Sequence, residues 1–282
     1  MRRPGGRARA GLAGLALLLA LVSTGTRAAA ERILALAPHV VETLYAIGAG
    51  PEIVGAVSFS DFPEAARALP RVGNYRKVSV EGALRLRPSL AIVMDEGVVG
   101  VRKLREFGVR VELSHPKTVE GVLRDIVHLG SLTGHEDEAE QVAAGLRERL
   151  EALRLGVPER PPRVFYEVWH QPLITAGGGD FISDALTRIG AQNIFASLAG
   201  DNPRVSVEAV LRARPDIFII PGESRDVGER ARAWRELMED PELKVVEAPH
   251  DLFHRPGPRL IEGMEQLQAE LRRALASDDG AP

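Results

Sequence analysis

Short apolar runs alternate with stretches of helical periodicity along most of this chain. In the first half, apolar runs predict strands over residues 33–36, 53–57, 90–94 and 109–113. A helix with apolar positions at helical spacing is predicted over 40–47, and it stops at Gly48. Because strands that alternate with helices pair in parallel, this pattern predicts an α/β fold with a mostly parallel sheet.

The second half repeats the alternation after a long helical stretch. That stretch covers 119–132, breaks at Gly134 and resumes over 137–155, with acidic residues in its first turn that suit the helix dipole. Strands and helices then alternate again, at 164–168, 182–189, 217–220 and 259–275. Since the connection is helical rather than rich in Gly and Ser, we predict two Rossmann-like lobes joined by one long backbone helix.

The domain boundaries follow from these elements. They are a signal peptide over 1–30, an N-terminal α/β lobe over 31–132, a connecting helix over 133–160, a C-terminal α/β lobe over 161–276 and a disordered tail over 277–282. Because a helical connection is stiffer than a flexible linker, we expect the lobes to move little when a ligand binds.

Two segments of nearly the same sequence lie 127 residues apart (205 − 78 = 127). They are VSVEGALRLRP over 78–88 and VSVEAVLRARP over 205–215, and an apolar run follows each of them. A repeat of this period is far longer than a solenoid unit, so it indicates two lobes of similar design. Each lobe places a glutamate, Glu81 or Glu208, at the same point.

The first thirty residues have the pattern of a secretory signal. Four arginines precede the apolar stretch 11–22, and three alanines at 28–30 supply the small residues of a cleavage site. The stretch is too short to span a bilayer comfortably, although a retained N-terminal anchor is the alternative. We therefore expect a periplasmic protein that begins near Glu31, with the Sec and twin-arginine export routes both open.

Composition excludes several classes of function. The 282 residues carry a formal net charge of −3 and no basic block, so we expect no nucleic-acid partner. The chain has no cysteine. That absence excludes disulfides, thiolate catalysis, iron–sulfur clusters, cysteine zinc sites and a lipid anchor on cysteine.

No catalytic motif emerges from the sequence. The glycine run 177–179 lacks the lysine of a P-loop, so a tight turn beside a ligand is preferred to a phosphate cradle. His39 and His170 follow predicted strands and His254 precedes one, in the region where open α/β folds bind ligands. A metal-dependent hydrolase that uses these three histidines is the alternative from another functional class, but we predict neither an enzyme nor a metal site.

Motifs in both halves resemble one known family. In the first half they are LAPHVVE over 36–42, SFSDFP over 58–63 and VGNY over 72–75. In the second half they are WHQPL over 169–173, TAGG over 175–178, GAQNIF over 190–195 and RPGPR over 255–259. The chain resembles the helical-backbone periplasmic substrate-binding proteins of the ABC importers for vitamin B12, haem and ferric siderophores, over nearly all of 32–275.

The resemblance is greatest to the cobalamin-binding branch of that family. It implies a monomer without a cofactor that captures cobalamin between its lobes and delivers it to an inner-membrane permease dimer. A receptor for a ferric siderophore or haem is the alternative within the family. The tyrosine that ligates haem iron in the haem branch falls on Asn74, with Tyr75 one position later, and this disfavours haem.

The resemblance also implies which residues act. By position, the cleft is lined by Phe59, Tyr75, Met94 and Asp251. Their neighbourhood adds Trp169, His170, Phe253 and His39. The two repeated glutamates, Glu81 and Glu208, fall on the positions that meet arginine pockets of the permease. The competing interpretation is local, because a glutamate in the first turn after a capping serine also stabilises its own helix.

Overall fold

The computed structural model describes residues 31–154, 160–222 and 227–276. The predicted signal peptide and the predicted tail therefore lie outside the described residues. Their boundaries, like those of the two lobes and the connecting helix, stay predictions. None of the helices in the described part of the chain combines the length and the apolar character needed to cross a membrane.

The N-terminal lobe is built on a parallel sheet. Its strands are β1 (Ile33–Ala35), β2 (Ile53–Val57), β3 (Arg71–Gly73), β4 (Leu90–Val93) and β5 (Arg110–Leu113), in the spatial order β3-β2-β1-β4-β5. Its helices are α1 (Pro38–Ala46), α2 (Val80–Arg85) and α3 (Val101–Glu106), with two short 3₁₀ turns at Gly50–Glu52 and Glu64–Ala68. The four predicted strands are present. The short edge strand β3 was not predicted, because three residues carry too little periodicity to be recognised.

Two helices follow the first sheet and pack against each other. Helix α4 (Val119–Thr133) ends at Gly134, whose φ of 74° reverses the chain, and α5 (Glu136–Arg154) returns along it. Gly130 lies so close to Ala139 that a side chain there would clash. Apolar residues of both helices belong to one buried cluster that also contains core residues of both sheets. This continuous core joins the lobes and supports a stiff connection.

The C-terminal lobe is built on a mixed sheet. Its strands are β6 (Arg163–His170), β7 (Leu173–Thr175), β8 (Gln192–Asn193), β9 (Ile217–Pro221) and β10 (Lys244–Ala248). The spatial order is β10-β9-β6-β7, with β8 beside β6, and only the β6–β7 pair is antiparallel. Its helices are α6 (Phe181–Arg188), α7 (Val207–Ala213), α8 (Val227–Met238), α9 (His250–Phe253) and α10 (Leu260–Ala276).

Two sequence-based placements in this lobe are wrong. His170 does not follow a strand that ends at residue 168, because β6 continues through His170 and pairs it with Leu173 in a hairpin. His254 does not precede a strand. His250 opens the short helix α9 and His254 caps its C-terminal end.

The internal repeat is also a structural repeat. Ser79 and Ser206 cap the N-termini of α2 and α7, and their hydroxyls accept hydrogen bonds from the amides of Gly82 and Ala209 at 3.2 Å. The strands that follow, β4 and β9, pair in parallel with the first strand of their own lobe. The repeat therefore places the same helix–strand unit in each sheet, as the sequence predicts.

Candidate functional site: a cleft between the lobes

A cleft between the two lobes is formed by the loops that follow the strands. Its larger cavity, of about 890 Å³, is lined by residues from both lobes, among them Phe59, Asp61, Tyr75, Trp169, Asp251 and His254. A second cavity, of about 500 Å³, is lined among others by Met94, Asp95, His115, Asp180, Asp201 and Asn202. His254 lines both cavities, so they are two parts of one cleft. The position at the carboxyl ends of parallel strands is the usual ligand position in open α/β sheets.

Three aromatic rings stand exposed in the larger cavity. Phe59 is 67% exposed, Tyr75 64% and Trp169 51%. The indole N–H of Trp169 donates to the carbonyl of Gln171 at 2.8 Å and so fixes the orientation of the ring. Phe59 has a φ of 66°, a left-handed conformation that is unfavourable for a bulky residue. Exposed rings of this size that face one cavity from both lobes are typical of a binding surface for an apolar ligand.

An ionic network lies beside these rings and crosses from lobe to lobe. Glu42 of α1 is buried and accepts hydrogen bonds from Arg255 at 2.7 Å and from Arg259 at 2.8 and 2.9 Å. Arg255 also donates to Asp61 at 2.9 Å and to Asp251 at 3.0 Å. Burial alone would raise the pKa of Asp61, but the hydrogen bond and the charge of Arg255 outweigh it and lower that pKa. The network ties the segment after α9 to the N-terminal lobe.

The smaller cavity is bridged by a second ion pair. Lys117, which follows β5, pairs with Asp201 of the C-terminal lobe, and the Nε2 atom of His115 lies 3.5 Å from the same carboxylate. Asp180 caps α6 through a 2.7 Å hydrogen bond from the amide of Ile182. Burial raises the pKa of Asp180 to about 6, and the charge of Asp201 acts in the same direction.

The buried His39 and the half-buried His254 are held as neutral parts of the structure. The Nε2 atom of His39 lies 3.0 Å from the hydroxyl of Ser114, which donates to Asp125 at 2.6 Å. Burial lowers the pKa of His39 to about 4. His254 lies 2.8 Å from the Tyr166 hydroxyl, and burial lowers its pKa to about 3, with the nearby His250 ring as a smaller cause.

The structure separates the predicted ligand residues into two groups. Phe59, Tyr75, Trp169 and Asp251 lie in the larger cavity and Met94 lies in the smaller one. The remaining three predicted residues need correction: Phe253, His39 and His170. Phe253 is fully buried and stacks on Tyr166, with ring centroids 5.7 Å apart. His39 is buried against Ser114, and His170 is exposed at the end of β6 but does not line either cavity.

Sequence reasoning missed the ionic residues of the cleft. Glu42 and Arg255 lie within motifs that resemble the family, yet their pairing joins positions 213 residues apart and no local pattern reveals it. The geometry does not support the alternative hydrolase site. His39 contacts Ser114, His254 contacts Tyr166, and His170 lies outside both cavities, so the three side chains do not form one cluster. In the described part of the chain, no group of three or more His, Asp or Glu side chains is arranged to hold a metal ion.

Comparison with known proteins identifies the family. The family model described as "Periplasmic binding protein" matches residues 33–249. The chain belongs to the periplasmic binding protein family. The resemblance found in the sequence is thereby confirmed. The family consists of solute carriers, so the expectation that this protein is not an enzyme is also confirmed.

Named relatives cover almost the whole chain of this periplasmic binding protein. The vitamin B12-binding protein of Photorhabdus laumondii is 33% identical over 266 residues, which are 93% of this chain and 96% of the relative. The vitamin B12-binding protein of Vibrio cholerae is 32% identical over 249 residues, which are 87% of this chain and 90% of the relative.

Solved structures confirm the two-lobed α/β fold. The periplasmic vitamin B12-binding protein BtuF of Vibrio cholerae superposes with a TM-score of 0.78 at 31% identity, over 87% of this chain and 98% of that one. The periplasmic haem-binding protein BhuT, in complex with two haems, superposes with a TM-score of 0.77 at 25% identity, over 87% of this chain and 99% of that one.

Proposed function

We propose that this protein captures a corrinoid, cobalamin, in the cleft between its lobes and delivers it to an ABC importer in the inner membrane. The observation that carries the proposal is the exposure of Phe59, Tyr75 and Trp169 in one cavity of about 890 Å³. The curated relatives described above are named for vitamin B12 binding, which favours this ligand over haem and ferric siderophores.

The physical basis is the match between flat rings and a flat macrocycle. Each aromatic side chain that a ligand removes from water contributes on the order of 1–3 kcal/mol through the burial of apolar area. Rings that reach the cavity from both lobes can contact such a ligand on more than one side. Because the core is continuous across α4 and α5, little of this binding energy is spent on moving the lobes.

Localisation and delivery belong to the same proposal. The family is periplasmic, and residues 1–30 act as a signal peptide that is removed on export. On the mature protein, Glu81 and Glu208 contact the two halves of the permease. Both glutamates lie in the first turn of matched helices, the Glu81 side chain is 79% exposed, and Glu208 is also exposed. A pseudo-symmetric pair of carboxylates suits a partner with two-fold symmetry.

The test is a calorimetric and spectroscopic titration of the purified mature protein. Cyanocobalamin, haemin and a ferric siderophore are titrated separately under the same conditions. We expect tight binding of cyanocobalamin with a change in its visible spectrum, and weak or no binding of the other two. Binding of haemin or of the siderophore without any response to cyanocobalamin would refute the ligand assignment.

A further inference from the structure

The cations that line the cleft are already committed to carboxylates of the protein. Arg255 is the cationic side chain of the larger cavity and hydrogen-bonds to Glu42, Asp61 and Asp251. Lys117 is the cationic side chain of the smaller cavity and pairs with Asp201. Among the described residues, no other lysine or arginine lines either cavity. A ligand carboxylate that enters the cleft would have to compete with these partners for its counter-charge.

The carboxyl groups of the lining outnumber the cations. Among the described residues, three line the larger cavity and three the smaller one: Asp61, Glu247, Asp251, Asp95, Asp180 and Asp201. The lining therefore carries six carboxyl groups against the two cations Arg255 and Lys117. The whole chain has a net charge of only −3, so this excess is a local property of the cleft.

Two histidines of the lining, His254 and His115, add little positive charge, and the third, His250, lies 3.7 Å from the carboxylate of Asp251. Burial lowers the pKa of His254 to about 3, and burial together with the charge of Lys117 lowers the pKa of His115. The guanidinium of Arg76 lies 5.3 Å from the centroid of the Tyr75 ring. Arg76 lies outside the lining of both cavities, where solvent screens its charge.

We propose that this charge distribution makes the cleft selective for a macrocycle with an uncharged, carboxamide periphery and against one with a carboxylate periphery. The inference rests on the proposed function and deepens it, because it states which feature of a corrinoid is recognised. Carboxamides donate hydrogen bonds to the lining carboxylates, whereas ionised carboxylates are repelled by them and find no uncommitted cation in the described lining. Haem propionates fall into the rejected class.

The test compares two ligands that share the corrin ring. Dicyanocobinamide carries carboxamide side chains, and dicyanocobyrinic acid carries carboxylates at the corresponding positions. Both are titrated into the mature protein at pH 7 and at two ionic strengths. We expect the amide ligand to bind at least about 100-fold more tightly, with the difference narrowing as salt screens the repulsion.

A pair of variants locates the cause of the selectivity. Asp95→Asn combined with Glu247→Gln removes one charge from each cavity, and Asn retains the side-chain oxygen that accepts the Gly97 amide at 2.7 Å. We expect the ratio of the two affinities to shrink about tenfold in this variant. The control is Glu106→Gln combined with Glu236→Gln, which changes the net charge equally on exposed helix surfaces outside both cavities, and should leave the ratio near that of the parent.

The possible outcomes distinguish a failure of the electrostatic selection from a failure of the proposed function. Failure of the parent protein to bind either corrinoid would refute the proposed function itself. Equal binding of the two ligands, or an equal loss of selectivity in the control variant, would refute the electrostatic selection while leaving corrinoid capture in place. The single variants Asp95→Asn and Glu247→Gln are measured as well, so that the test does not depend on the folding of one double variant.

Discussion

Arg87 and Arg214 lie 127 residues apart (214 − 87 = 127) and have the same left-handed backbone conformation, with φ of 48° and 47°. Each precedes a proline, and each offers its carbonyl to an arginine at the start of the first strand of its lobe, Arg32 just before β1 and Arg163 as the first residue of β6. Arg32 donates to the carbonyl of Arg87 at 3.0 Å, and Arg163 donates to the carbonyl of Arg214 at 3.2 Å. The sequence repeat is therefore reproduced down to single backbone angles at the ends of α2 and α7.

Because of this conformation, substitution by glycine should stabilise the protein at these two positions, whereas glycine usually destabilises a helix. A non-glycine residue in the left-handed region costs about 1 kcal/mol, which glycine does not incur. We expect Arg87→Gly and Arg214→Gly each to raise the free energy of unfolding by up to about 1 kcal/mol. Arg212→Gly, inside α7, should lower it by about 1 kcal/mol instead. Urea unfolding of the three variants measures these differences, and a loss of stability in all three would contradict the backbone argument.

Charge reversal at the repeated glutamates tests delivery to the permease. We expect the double variant Glu81→Lys and Glu208→Lys to abolish uptake by the reconstituted importer while ligand affinity stays at the parent level. The reason is that both carboxylates are exposed on helices α2 and α7, away from the cavity linings. Glu106→Lys with Glu236→Lys supplies the matched control. Normal uptake by the first variant would show that the glutamates only stabilise their own helices.

The ring of Trp169 should contribute directly to ligand binding. Trp169→Ala removes an exposed ring from the cavity and is expected to weaken cyanocobalamin binding by about 2–3 kcal/mol with little change in stability. Phe107→Ala is the control, since Phe107 is 67% exposed but lies outside both cavity linings. Full affinity of the Trp169 variant in calorimetry would place its ring outside the site.

Much of the fold was predictable because it depends on local periodicity. The strands at 53–57 and 90–94 are continuous apolar runs, and Ser79 and Ser206 mark helix starts by their capping chemistry. The hairpin strand β7 was missed, because three residues after a turn carry no clear alternation.

The site was only partly predictable, because side-chain direction is a tertiary property. Phe253 and His254 are neighbours in the sequence, yet Phe253 enters the core while His254 lines the cleft. His39 stands directly after the proline that opens α1, but its side chain turns toward Ser114. The pairing of Glu42 with Arg255 depends on how the two lobes meet, which no local spacing specifies.

The stability of the protein should fall as the solution becomes acidic. The unfolded chain protonates His39 and His254 below about pH 6.5, whereas the folded protein keeps them neutral down to their lowered pKa values of about 4 and about 3. The unfolded state therefore binds more protons in this range. Asp180 acts in the opposite direction, since its pKa of about 6 lets the folded state bind a proton first, but it is one group against the two histidines.

The net loss between pH 7 and pH 5 should be on the order of 2 kcal/mol. Urea unfolding at the two pH values measures it. His39→Gln should reduce this loss of stability, because unfolding of the variant no longer exposes an imidazole that takes up a proton at this position. His128→Gln, on the exposed face of α4, should leave the loss unchanged. An identical pH dependence in parent and His39→Gln protein would show that this histidine is not the cause.

The buried carboxylate of Glu42 should contribute far more to stability than an exposed carboxylate that also pairs with arginine. Glu42→Gln leaves Arg255 and Arg259 without their shared counter-charge, and breaking such a buried pair costs about 3–5 kcal/mol. Glu265 accepts two hydrogen bonds from Arg149, at 2.9 and 2.6 Å, on the surface. Glu265→Gln should therefore cost less than about 1 kcal/mol. Similar losses for the two variants in urea unfolding would show that the network between the lobes is held by packing rather than by charge.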